Sequence, residues 1–132
     1  MNQEASALWS RAIQALRTAK SNLSIDADAA ASRAYYAAFY AISALFVLQG
    51  KTFSKHSALE RAVHRDLVKA GHWPVERGKD YSFLRKLRAT GDYGGGIHVS
   101  NEEAVEALEA ARRIVQTVRD TSPETFPQTE DE

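Results

Sequence analysis

A chain of 132 residues fits one domain, and folding should bury roughly 65–70% of its unfolded surface, enough for a real core. Seventeen basic and seventeen acidic side chains cancel, so net charge supplies no pull towards nucleic acid or membrane, although a local basic patch stays open. The absence of cysteine excludes disulfides, thiol catalysis and cysteine-based zinc sites, and with no signal peptide visible the expected setting is the reducing cytoplasm.

Periodicity predicts an all-α fold. Leu8, Ala12, Leu16, Ala19 and Leu23 recur at helical steps, widened by Trp9 and Ile13, and predict a first helix over 5–22. Asp26 is placed to cap a second helix over 27–49, which Gly50 ends. Residues 29–48 are long and apolar enough to span a bilayer. However, Arg33 would be expensive in lipid and much of the apolar character is alanine and tyrosine, so a helix buried in a bundle or dimer is expected, with no membrane contact.

A third helix is predicted over 55–70, with Leu59, Val63 and Leu67 on one face and a capping box from Ser57 and Glu60. Gly71 ends it, His72-Trp73-Pro74 cannot continue it, and 75–79 reads as a polar loop. A short fourth helix over 79–91 carries Phe83, Leu84 and Leu87; Gly91 and the run Gly94-Gly95-Gly96 end it in a hinge. Ser100 and Glu103 form a capping box for the fifth helix, whose seam is Ala104, Leu108, Ala111, Val115 and Val118. Residues 1–120 are thus expected to form a four- or five-helix, mainly up-and-down bundle. Residues 121–132, with two prolines and four acids, are expected to be a disordered acidic tail.

Three segments are more specific than periodicity. They are Ser32-Arg33-Ala34-Tyr35-Tyr36-Ala37 opening the second helix, Lys51-Thr52-Phe53-Ser54-Lys55-His56-Ser57 after it, and Arg88-Ala89-Thr90-Gly91-Asp92-Tyr93 ending the fourth. In this order they resemble the small stand-alone members of the HEPN domain family, over roughly residues 5–119. The resemblance implies a helical bundle that commonly dimerises, often working beside a minimal nucleotidyltransferase in a toxin–antitoxin-like pair. It also implies metal-independent RNA cleavage in active members, whose motif arginine is followed by a histidine. Arginine would stabilise charge on the phosphate and histidine would move protons. In this chain Arg88 takes the arginine position, but Asp92-Tyr93 stands where the histidine is expected, and His98 comes ten positions after Arg88, beyond the glycines.

The candidate catalytic residues are therefore Arg88, Asp92 and His98, with Tyr93 the candidate nucleotide acceptor that the resemblance implies. Each also has a structural reading. Arg88 and Asp92 can pair one turn apart, and Tyr93 can cap the bundle. Arg33, Tyr36 and Tyr40 share one helical face and are expected to serve packing or an interface, with Arg33 buried against an acidic partner, Asp92 being one candidate. His56, His64, His72 and His98 show no metal-ligand spacing, and no phosphate-cradling or nucleophile motif is present, so neither metal nor cofactor is expected. Function narrows to three readings: a HEPN protein acting with a nucleotidyltransferase partner, with RNA as a further partner; an active metal-independent endoribonuclease; or a non-catalytic helical adaptor.

Overall fold

A computed structural model describes residues 2–129 and 132. Its helices are α1 (Gln3–Asn22), α2 (Ala27–Leu48), α3 (His56–Ala62), α4 (Val75–Tyr93) and α5 (Asn101–Thr121); a π-helical stretch, Val63–Lys69, continues α3. The described residues contain no strand, and the all-α bundle is as the periodicity requires.

The centre is α2, packed against α1, α4 and α5. Seven of its buried residues are alanines (Ala30, Ala31, Ala34, Ala37, Ala38, Ala41 and Ala44), which let three neighbours approach closely, while Tyr35, Ile42, Leu45 and Phe46 fill the remaining space. It is the one helix among the described residues long and apolar enough to cross a membrane, and most of that stretch is buried inside the bundle. Two caps form as their residues dictate. Asp26 accepts the amide of Ala29 at 3.1 Å, and Ser100 with Glu103 makes the reciprocal box on α5. Gly50, at φ +76°, turns the chain after α2 in the left-handed region that other residues avoid.

Four expectations need correction. Ser57 and Glu60 form no capping box, because α3 starts at His56 and Glu60 is taken by Arg85 at 2.8 Å and by the Ser82 hydroxyl at 3.3 Å. Residues 75–79 are not a loop but the first turn of α4, which begins directly after Pro74, where a missing amide hydrogen costs nothing. Gly91 does not end α4 but lies within it, as does Gly78 of the expected loop. A Cβ at Gly78 would sit 3.1 Å from the His64 ring, and one at Gly91 would sit 2.8 Å from the Asp28 carbonyl oxygen, so both glycines let helices touch.

The fourth correction concerns the tail. Through Thr129 the segment expected to be disordered lies against α1 and α5; Glu130 and Asp131 lie outside the described residues. Phe126 is fully buried, its ring 4.8 Å from Trp9, whose indole Nε1 donates to the Pro127 carbonyl at 3.3 Å. Arg119 adds a guanidinium 5.3 Å from the Trp9 ring and an ion pair with Glu132. Polar composition overlooks a single aromatic side chain that has a ring to pack on.

Candidate functional site

The residues of the three specific segments converge where α2, the start of α3 and the end of α4 meet. Arg88 is at the centre. Its Nη2 donates to the Tyr36 hydroxyl at 2.9 Å, and its Nε lies 2.9 Å from Asp92 Oδ2. The second contact is an ion pair without hydrogen-bond alignment, since the buried Nε makes no hydrogen bond. The guanidinium carbon stands 5.6, 5.5 and 5.4 Å from the ring centres of Tyr35, Tyr36 and Tyr93. Burial works against the charged form, but the oxygens of Tyr36, Tyr93 and Asp92 outweigh it and raise the pKa, so Arg88 is a fixed cation.

Asp92 therefore does pair with Arg88 one turn earlier, and both stay partly accessible, with side chains 21% and 28% exposed. Tyr93 does not cap the bundle. It is 74% exposed, at the last residue of α4 and directly before the glycines. Arg33 is half-buried rather than buried, and among the described residues it meets no acid: its guanidinium carbon stacks 4.8 Å over the Tyr36 ring, while Asp92 is held by Arg88. Tyr36 and Tyr40 do share the Arg33 face, their ring centres 5.9 Å apart, with Arg11 5.9 Å from the Tyr40 ring.

His98 is brought back by the glycine loop, but to α2. Its Nδ1 lies 2.6 Å from Asp28 Oδ2, and Asp28 Oδ1 accepts the Val99 amide at 2.7 Å. The Asp28 carbonyl is the atom that Gly91 approaches, so the latch ties the loop to the last turns of α4. The hydrogen bond between them raises the His98 pKa and, with the Val99 amide, lowers that of Asp28. A raised histidine contributes stability in full below its unfolded value of about 6.5 and loses it as pH climbs through the folded value. A lowered aspartate contributes above about 3.9 and loses it as pH falls through its folded value. The melting temperature of the protein should therefore exceed that of His98→Ala most at pH 5–6, and the gap should shrink by pH 9. A gap that does not change with pH in differential scanning calorimetry would refute the latch.

The residue that sequence reasoning passed over is His56. Its spacing from the other histidines suggests no metal site, yet its ring lies 4.4 Å from Phe39, 5.8 Å from Tyr36 and 5.9 Å from Tyr35. Its Nδ1 is 3.3 Å from the Tyr35 hydroxyl, and Tyr81 donates to that hydroxyl at 3.2 Å. Burial, and then the charge of Arg88, lowers the His56 pKa and keeps the ring neutral near pH 7. The available signal was its place inside the second of the three specific segments. Among the described residues no group of three His, Asp or Glu side chains lies close enough to hold a metal ion. What the cluster offers chemically is a fixed cation, a neutral imidazole, an exposed phenol and several ring faces.

Comparison with known proteins gives the family. The model of the HEPN domain matches residues 5–121. The chain belongs to the HEPN domain family. This HEPN chain is 32% identical to a UPF0332 protein of Gloeobacter violaceus, over 88% of the chain and 94% of the relative. It is 37% identical to a UPF0332 protein of Thermotoga maritima over 67% of each. A Methanocaldococcus jannaschii protein described as a candidate toxin is 31% identical over 58% of the chain and 52% of its own length. A crystal structure of a Thermus thermophilus protein superposes with a TM-score of 0.77 and 24% identity, covering 90% of this chain and 98% of that one, which supports the fold alone. The three segments that first suggested the HEPN family all fall within the matched residues and line one site.

Proposed function

We propose that this HEPN protein is one member of a toxin–antitoxin-like pair in the cytoplasm, that it acts with a minimal nucleotidyltransferase, and that Tyr93 accepts the transferred nucleotide. The observation that carries this reading is the position of Tyr93. Its ring is 74% exposed, and the Arg88 guanidinium carbon lies 5.4 Å from its centre. An exposed phenol at a helix end, followed by glycines with no side chains in the way, can enter the active site of a second protein. In the transfer the phenol oxygen attacks the α-phosphorus of the nucleotide, the bond to pyrophosphate breaks, and the phenolic proton passes to a base of the partner. Arg88 offsets negative charge on the attacked phosphate. The resemblance to a candidate toxin supports the pairing.

The proposal includes a homodimer. On α2 the side chains of Arg33, Tyr36, Phe39, Tyr40 and Val47 form a half-exposed, largely aromatic stripe that a second copy would cover. The test incubates the dimer, verified by sedimentation equilibrium, with ATP and a minimal nucleotidyltransferase. Intact-mass spectrometry should show a gain of one nucleoside monophosphate per labelled chain, mapped to Tyr93 and absent in Tyr93→Phe, which loses only the hydroxyl. Labelling that persists undiminished in Tyr93→Phe would assign the acceptor elsewhere.

A further inference from the structure

We propose that His56 is a phosphate-binding residue of the same site, and that its neutral imidazole presents an Nε2–H donor, beside Arg88, to a phosphate oxygen of a single-stranded RNA. The inference takes the Arg88 cluster as the working site, as the reading above does, and assigns to it a residue outside the arginine-containing motif.

The tautomer follows from a chain of three groups. Tyr81 is fully buried, and its hydroxyl donates to Tyr35 Oη at 3.2 Å. The Tyr35 hydroxyl then has its own proton for His56 Nδ1, at 3.3 Å. The reverse direction would leave the Tyr81 proton in the core without an acceptor, which is the costlier arrangement. Burial raises the pKa of both phenols, so each keeps its proton to donate. With Nδ1 accepting, the single proton of a neutral imidazole resides on Nε2. The nearby charge of Arg88 helps hold the ring in that neutral state. A neutral N–H donor next to a fixed cation suits an anionic oxygen without adding a second charge that must be desolvated.

Two further features favour a nucleotide chain over a lone anion. The ring of Tyr93, exposed at the end of α4 beside the Arg88 guanidinium, offers a face on which an unstacked base can lie, and it lies outside the α2 stripe that a second copy would cover. An open groove of about 600 Å³ begins at Ser57, the residue after His56, and runs past Glu60, Arg61, His64, Arg65 and Lys69. Its cations recur every fourth residue; Arg65 is held by Asp66 and Glu60 by Arg85, so Arg61 and Lys69, which make no ion pair among the described residues, are the charges a strand leaving His56 would meet.

The test uses 2′-O-methyl hexauridylate, which binds as RNA but cannot be cleaved by its own 2′ oxygen. Long-range ¹⁵N NMR of the protein at pH 7 should show His56 protonated on Nε2, and adding the hexamer should shift that nitrogen. In fluorescence titrations His56→Ala should weaken binding about ten- to hundredfold, the typical effect of losing one hydrogen bond to a charged group. His56→Gln, whose amide N–H stands near the Nε2 position, should retain most of the affinity. Inorganic phosphate should compete weakly and uridine should not compete. A proton on Nδ1, an unshifted His56 in the presence of bound hexamer, unchanged affinity in His56→Ala, or uridine binding as tightly as the hexamer would each overturn the proposal. Labelling of Tyr93 requires no RNA, so failure here leaves that result standing, and the reverse also holds.

Discussion

Deleting residues 122–132, or replacing Phe126 by alanine, should lower the unfolding free energy by about 3–5 kcal/mol, the usual cost of removing a buried aromatic ring. Phe126 is 0% exposed and fills the space over Trp9, itself only 4% exposed. Its loss would uncover the indole, remove the ring contact at 4.8 Å and free Nε1 from the Pro127 carbonyl. For a domain of this length a change of that size should lower Tm by about 10–20 °C. Urea melts followed by Trp fluorescence would measure it directly, because Trp9 reports on its own exposure. Phe126→Leu should recover part of the loss, since leucine restores apolar volume without the ring contact. A deletion that melts like the full chain would mean that the tail contributes nothing to the folded state.

That tail marks where the sequence could be read and where it could not. Helix existence was legible, because the apolar steps of α1, α2 and α5 are long and their caps are local: Asp26 and Ser100 need only their own neighbours. A glycine whose purpose is tertiary gives no local sign of it, so Gly91 reads as a stop and Gly78 as part of a loop. At Gly91 the requirement comes from Asp28, sixty-three positions away, and at Gly78 it comes from the His64 ring. Within the site, Arg88 and Asp92 are one turn apart on one helix, so their pairing follows from helical geometry. His56 is held by Phe39 and Tyr35 of α2, across a connection whose path no periodicity describes. His98 shows the same limit from the other side: the loop does fold back, but Asp28 captures it. Long-range partners build the cluster, and only the three segments that resemble the HEPN pattern point towards them.

Replacing Arg88 by alanine should reduce nucleotide transfer to Tyr93, and any RNA cleavage, by about 10²–10³-fold, as expected for removing a group that stabilises charge at the reacting phosphate. The fold should survive. Arg88 and Asp92 are each partly solvent-accessible, so the orphaned carboxylate can be hydrated, and the ion pair itself is worth no more than about 1 kcal/mol. Far-UV circular dichroism and Tm should therefore change little while activity collapses. Arg88→Lys provides the stricter measurement. Lysine keeps the charge, but one ammonium cannot reproduce the guanidinium fork that reaches the Tyr36 hydroxyl through Nη2 and Asp92 through Nε. If charge alone matters, lysine should restore most of the rate. If the fork positions Tyr36 and the end of α4 for reaction, lysine should behave nearly as poorly as alanine, and the 2.9 Å contacts favour that result. Full activity in Arg88→Ala, with Tyr93 still labelled at the normal rate, would move the working site away from this cluster.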